Sequence, residues 1–265
     1  MAPAIELLSA EKTYPNGKGG RGGTRALLPL NLTVAEGELI TLLGPSGCGK
    51  STLLKMVAGL LAPSAGSLQL WGQPVALAQR ALSFVFQEAT LMPWARVMAN
   101  VRLPLDLAGV AKTTSEPRVR RALQLVGLGQ FENHLPRELS GGMQMRVSIA
   151  RSLVTEPQLL LMDEPFGALD EITRNRLDSD LLDLWRSKKL TVVFVTHSIH
   201  EAVYLSQRVV VMAARPGRFV EEVAINEPYP RSADFRVSTE FSRYARRLQD
   251  SLLRASGEHA DEALA

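Results

Sequence analysis

A strongly apolar run, Leu39-Ile40-Thr41-Leu42-Leu43, stops at a glycine. The eight residues that follow, Gly44, Pro45, Ser46, Gly47, Cys48, Gly49, Lys50 and Ser51, satisfy the pattern G-x-x-x-x-G-K-[ST]. The run has the length and bounding glycines of a buried strand, and beyond Lys50 the apolar spacing becomes helical through Leu53, Leu54, Val57, Leu60 and Leu61. A strand, a glycine turn and a helix in that order form a cradle for phosphate. Glycines let successive backbone N–H groups face inward, and the helix start adds its positive dipole end. Lys50 is placed to neutralise β- and γ-phosphates, Ser51 to offer its hydroxyl to Mg²⁺, and Thr52 lies next to both. Cys48 inside this loop reads either as a thiol activated by the helix start or as a small filler residue.

Other apolar runs repeat the theme. Residues 82–86, 159–162, 192–195 and 208–212 read as strands, and 170–186 reads as an amphipathic helix with Leu177, Leu181, Leu184 and Trp185 inward. Strands alternating with helices predict a largely parallel sheet with right-handed crossovers. Residues 88–153 break that rhythm. They carry helical spacing (Val119, Leu123, Val126) and no convincing strand, which predicts a helical insertion in the α/β core. Residues 16–23 read as a surface loop by their glycine content. A helix is expected around Phe241, Tyr244, Leu248 and Leu252, followed by a polar, Ala-rich tail. The expected organisation is one unit over 1–230, with the helical insert at about 88–155, and a C-terminal helix and tail over 231–265.

Composition narrows the function classes. A net charge of +3 on 265 residues is not the concentrated basic face of a nucleic-acid binder. A single cysteine excludes an intramolecular disulfide or a Cys-rich metal site, and suits a reducing compartment. No secretory leader is visible in residues 1–6, and no stretch approaches the roughly 18 apolar residues of a membrane span.

Chemistry-bearing residues cluster where strands end. Asp163 and Glu164 close the run 159–162, and strand alternation predicts that they point in different directions and take different roles. Asp163 is expected to hold Mg²⁺, and Glu164 to accept a proton from, or orient, the water that attacks a γ-phosphate. His197 closes 192–196 at the same edge and is a candidate γ-phosphate contact. Gln87 follows 82–86 as a candidate sensor of Mg²⁺ or of the attacking water. Ser140 precedes Gly141 and Gly142 at the start of an apolar helix over 147–153, a second anion-binding helix start on the same chain.

The ordered set of residues 44–51, Gln87, 139–144, Asp163, Glu164, Ala168-Leu169-Asp170 and His197 resembles the ATP-binding subunit of ATP-binding-cassette (ABC) transporters. The resemblance covers about residues 5–225. It implies an α/β P-loop NTPase cassette with a mainly parallel sheet core, an N-terminal antiparallel β portion and an inserted helical subdomain. It implies ATP and Mg²⁺ as cofactors and a head-to-tail homodimer in which two ATP molecules lie between one copy's phosphate loop and the other's Ser-Gly-Gly element. It adds Tyr14 as an adenine-stacking residue and Asp170 as a nucleotide-site residue. Integral membrane permease subunits, a solute-binding protein, a peripheral place on the cytoplasmic face of the membrane and no nucleic-acid partner complete the picture.

A finer resemblance, to the nitrate, taurine and aliphatic-sulfonate importer group, rests on residues 87–94 (Gln-Glu-Ala-Thr-Leu-Met-Pro-Trp), Asn100-Val101 and Ala214-Arg215-Pro216-Gly217-Arg218. Two positions depart from the usual family wording, Met145 after the Ser-Gly-Gly element and Ser198 after His197. The apolar segment 91–94 reads equally as a docking patch for a membrane partner and as packing within the insert. The rival functions are a non-transport ABC ATPase of DNA repair or translation, and a nucleotide-binding regulator. The first normally carries two cassettes or a long coiled-coil insert, and the second should lack Glu164.

Overall fold

The computed structural model describes residues 2–15 and 23–262. Apart from Gly23, the loop expected at 16–23 lies outside them. In chain order the elements are β1 (Ile5–Pro15), β2 (Gly23–Val34), β3 (Leu39–Leu43), α1 (Lys50–Val57), β4 (Ala65–Leu70), β5 (Gln73–Pro74), α2 (Val75–Ala78) and β6 (Leu82–Val85). There follow α3 (Val97–Leu107), α4 (Lys112–Leu125), α5 (Gly141–Leu153), β7 (Leu159–Asp163) and α6 (Glu171–Lys188). The chain ends with β8 (Thr191–Thr196), α7 (Ile199–Leu205), β9 (Arg208–Ala213), β10 (Arg218–Ala224) and α8 (Thr239–Glu262). It divides into two units, Met1–Gln79 with Thr191–Ala265, and Arg80–Leu190.

The first unit holds two sheets. The antiparallel one has the order β2-β1-β4-β5, and in the other β8, β3 and β9 are parallel neighbours with β10 antiparallel on the edge. All five residues of β3 and all six of β8 are buried. Strands covered on both faces are necessarily continuous apolar runs, which is why these were visible in the sequence. Each fully buried Val, Leu or Ile there contributes about 1.5–3 kcal/mol.

Helix α1 stops at Val57, short of Leu60, which is exposed. The expectation that Leu60 and Leu61 continue its inner face is corrected by Gly59, in the left-handed region at φ 71°. Gly59 N–H donates to Met56 O and Leu60 N–H to Lys55 O, a glycine-terminated helix end.

Helix α8 buries Phe241, Leu248 and Ala255, and Glu221 of β10 holds it through Arg247 (2.7 Å), Arg254 (3.1 Å) and the Ser251 hydroxyl. It runs through Glu262, into the residues expected as a polar tail. Residues 263–265 lie outside the description.

In the second unit β6 and β7 pair in parallel, and the expected helical insert comes between them as α3, α4 and α5. Asn100, fully buried in α3, shapes the segment that precedes its helix. Its side chain accepts from Met92 N–H at 2.7 Å and donates to the carbonyls of Met92 (3.2 Å), Ala95 (2.9 Å) and Arg96 (3.3 Å). Trp94, at the tip of that turn, is 79% exposed, so the packing alternative for its side chain is not what the fold adopts. Among the described residues no helix is long and apolar enough to cross a membrane.

Candidate functional site

The first unit places three groups of the expected residues. In the parallel register Leu43 lies opposite Thr196, so Gly44 and His197 each come one residue beyond the last pair, at the carboxyl edge where α/β sheets bind ligands. The turn from Gly44 to Gly49 leads into α1. Lys50 is 4% exposed, and its ammonium donates to Gly44 O at 2.7 Å and Pro45 O at 3.0 Å. A buried cation needs such acceptors, and the same donors can be turned to phosphate oxygens. Ser51 is half-buried in the first turn of α1. Tyr14 lies within β1, paired with Thr24 of β2. Its hydroxyl is 3.5 Å from Thr52 Oγ1 and its ring is 37% exposed.

Cys48 is fully buried, with Lys50 Nζ 3.8 Å from Sγ. Burial pushes the thiol above its ordinary value, partly offset by the Lys50 charge. That environment belongs to a packing residue, and the activated-thiolate alternative is set aside.

The loop is held by neighbours that the motif does not contain. Gly49, at φ 94°, turns the chain into α1, and a Cβ there would stand 2.4 Å from Leu27 Cδ2. Gly217, between β9 and β10, bonds to β2 through Gly217 N–H to Ala26 O (3.0 Å) and Leu28 N–H to Gly217 O (2.9 Å). A Cβ on Gly217 would lie 2.4 Å from the Cys48 carbonyl oxygen, so the phosphate loop rests directly on this backbone. In sequence Gly217 carries only the likeness to the importer group. Its spatial role had no signal in sequence because the contact joins distant segments.

His197 is exposed, just past β8. Around it Thr196 Oγ1 donates to the buried carboxylate of Glu201, Ser198 N–H donates to Thr196 Oγ1 at 2.9 Å, and Glu201 N–H donates to Ser198 Oγ at 3.3 Å. Ser198, one of the two departures from the family wording, is thus the N-cap of α7. The other, Met145, is buried in α5.

The second unit places the rest. Val85 lies opposite Met162, so Gln87 and the acid pair leave the same edge of the β6–β7 pair. Leu159 to Met162 are fully buried, and Asp163 and Glu164 are half-buried. Strand alternation does not set the direction of Glu164, contrary to expectation. The strand ends at Asp163, and Glu164 takes φ 46°, a left-handed conformation that costs a non-glycine residue about 1–3 kcal/mol and collects at functional sites. Gly167 N–H donates to Glu164 O (3.2 Å), and Arg174 of α6 donates to the carbonyls of Leu169 (2.8 Å) and Phe166 (3.4 Å), holding the turn. Arg174 was not foreseen.

Asp170 caps α6, its Oδ1 accepting from Thr173 N–H at 2.9 Å, and that bond holds its carboxyl below the usual carboxylate value. Ser140 caps α5 in the same manner, Oγ accepting from Met143 N–H at 3.3 Å. Gly142 has a packing duty besides its expected ligand-facing one, because a Cβ there would lie 2.7 Å from Thr173 Cγ2 of α6. Gln87 is exposed two residues past β6. The turn after it is fastened by Arg151 of α5, whose guanidinium donates to the carbonyls of Ala89 (2.8 Å) and Thr90 (2.9 Å). Among the described residues no three His, Cys, Asp or Glu side chains gather as a metal cluster.

A model of the family described as ABC transporter matches residues 27–167, more than half of the chain. The chain belongs to the ABC transporter family. It is 48% identical over 228 residues to an uncharacterized ABC transporter ATP-binding protein of Methanocaldococcus jannaschii, covering 86% of this chain and 84% of that one. To the aliphatic sulfonates import ATP-binding protein SsuB of Bacillus licheniformis it is 45% identical over 219 residues, 80% and 83% of the two chains. Among solved structures the fold matches the dimeric ABC transporter cassette MJ0796 at a TM-score of 0.73 and 32% identity, covering 84% of this chain and all of that one. The same cassette is also known as a dimer in a post-hydrolysis state bound to ADP and Pi, at 31% identity. This ABC cassette is an ATPase that binds adenine nucleotide.

Proposed function

We propose that this ABC ATPase energises uptake of a small solute such as a sulfonate, taurine or nitrate, working on the cytoplasmic face of the membrane against separate permease subunits supplied by a solute-binding protein. The observation that carries the import reading is the likeness, over four fifths of the chain, to a protein named for aliphatic sulfonate import. The exposed Trp94, presented by the Asn100-bonded turn after Gln87, supports a docking role toward a membrane partner.

At the chemical centre, the backbone N–H groups of residues 47–51 and the Lys50 ammonium bind the β- and γ-phosphates, and Tyr14 stacks on adenine. Ser51 and Asp163 supply hard oxygen donors of the kind Mg²⁺ takes, both half-buried at the ends of their elements. The ion, when bound with ATP, neutralises phosphate charge. Glu164 orients water and accepts its proton, His197 contacts the γ-phosphate, and Gln87 senses the occupied site. Ser140, Gly141 and Gly142 of a second copy close over the first copy's ATP in a homodimer, a reading that the dimeric MJ0796 cassette supports. Asp170, the cap of α6, completes the nucleotide site; its chain neighbour Leu169 and its bond partner Thr173 lie against Gly141 and Gly142.

The test is purification from detergent-solubilised membranes, with identification of co-purifying integral membrane proteins. Reconstituted vesicles are then loaded with a solute-binding protein and candidate solutes. Solute-stimulated ATP hydrolysis and inward transport are expected. Isolation with a soluble complex and no membrane protein would redirect the reading to a non-transport ABC ATPase.

A further inference from the structure

The C-terminal segment that follows β10 is bonded to α7, the short helix whose N-cap, Ser198, comes directly after His197. Helix α7 ends with carbonyls that have no partner within the helix itself, as every helix does. Arg231, 6% exposed, donates from Nη1 to Val203 O and Tyr204 O, both at 2.8 Å. Its Nη2 donates to Ile225 O and Glu227 O at 3.3 Å, which fixes the guanidinium to its own segment. Tyr229 Oη donates to Leu205 O at 2.7 Å, and Tyr204 Oη returns a bond to Arg231 O at 3.1 Å. The guanidinium lies over the Tyr229 ring at 4.3 Å, so the buried charge meets carbonyls and an aromatic face. A planar fork with several donors suits this multi-carbonyl site better than an ammonium.

At its other end α7 is fixed to β8 by the Thr196–Ser198–Glu201 bonds, and His197 lies between those residues. Seven helical residues span about 10 Å as a stiff rod. A shift at Val203 and Tyr204 is therefore carried along α7 toward the Ser198 cap, which is bonded on either side of His197.

We infer that Arg231 is a positioning residue for His197, setting the height of the imidazole by clamping the far end of α7. The inference rests on the γ-phosphate role given to His197 above.

The experiment uses the full chain. Arg231→Met keeps stem length and removes the donors, Arg231→Lys keeps the charge, and Tyr229→Phe removes the single hydroxyl on Leu205 O. Each is measured for Mg-ATP affinity, for kcat and KM by phosphate release, and for the ring signals of isotopically labelled His197 by NMR. Arg243→Met, which loses an exposed pair with Glu240, is the control. In Arg231→Met, ATP affinity stays within about two-fold while kcat falls about ten- to a hundred-fold, the loss expected of a misplaced catalytic group. Arg231→Lys lies between, and Tyr229→Phe shows a smaller loss. The His197 signals move in all three and stay fixed in the control, and in an Arg231→Met/His197→Ala double variant kcat matches that of His197→Ala alone.

Unmoved His197 signals, or an equal fold-loss from Arg231→Met with and without His197, would overturn the inference. Wild-type kcat in His197→Ala alone would instead remove the role of His197 and this inference with it. If Arg231→Met does not fold, Arg231→Lys and Tyr229→Phe decide by the same signals.

Discussion

Replacing Gly217 with alanine tests whether the phosphate loop is shaped by backbone outside its motif. The added Cβ would lie 2.4 Å from Cys48 O, 2.8 Å from Ala26 O and 2.8 Å from Leu27 Cδ2. Two of those atoms are backbone, so no rotamer change relieves the contact. To reach even 3.0 Å the Cys48 carbonyl has to retreat by about 0.6 Å, and comparable overpacking costs about 1–3 kcal/mol. If the strain falls on the loop, ATP affinity drops by about five- to 150-fold, since 1.4 kcal/mol is a factor of ten. Calorimetric titration with Mg-ATP reads that loss, and the thermal midpoint reads the share taken by the fold. Gly129→Ala is the control, because its Cβ would meet only Gln124 Cγ at 3.4 Å. A Gly217→Ala protein with wild-type affinity and midpoint would refute the claim that the loop rests on this glycine.

Two further outcomes follow from the bonds around the site. Asn100→Leu strands Met92 N–H and the carbonyls of Met92 and Ala95, and lowers stability by about 2–4 kcal/mol in chemical denaturation; an unchanged midpoint would remove Asn100 as the organiser of that turn. Asp170→Ala destabilises the protein at neutral pH through loss of the α6 cap. Because the Asp170 carboxyl titrates below its ordinary value in the folded chain, that contribution is present above the usual carboxylate range and is lost as pH falls through the lowered value. The midpoint gap between wild type and Asp170→Ala should therefore shrink on acidification, and a gap that widens would contradict the assignment.

The parts of the fold that could be read from sequence are those whose cause is local. Strands β3, β7 and β8 are buried on both faces and so appear as unbroken apolar runs, and the loop at 44–51 is written by consecutive residues. Ser140 announces a helix start by its type and by the glycines after it. What stayed hidden has its cause at a distance. The duty of Gly217 comes from the Cys48 carbonyl, that of Gly142 from Thr173, and the clamps of Arg151 and Arg231 from carbonyls on other segments. Strand β10 was missed because Arg218-Phe-Val-Glu-Glu-Val-Ala224 is a partly exposed edge without clean alternation. The kink at Glu164 overrode a sound rule, since alternation holds only while the strand lasts, and β7 ends one residue earlier. The end of α1 is a different failure, for Gly59 was a visible stop signal.

The central claim, that Glu164 directs water onto ATP held between two copies, is tested most directly by comparing purified wild-type and Glu164→Gln chains in Mg-ATP. Phosphate release and oligomeric state are to be followed in the same samples. The account predicts that Glu164→Gln binds ATP, loses about a hundred- to ten-thousand-fold in turnover, as removal of a catalytic proton acceptor does, and accumulates as an ATP-bound dimer. Wild-type turnover by the variant, or a monomer that holds ATP and never pairs, would contradict it.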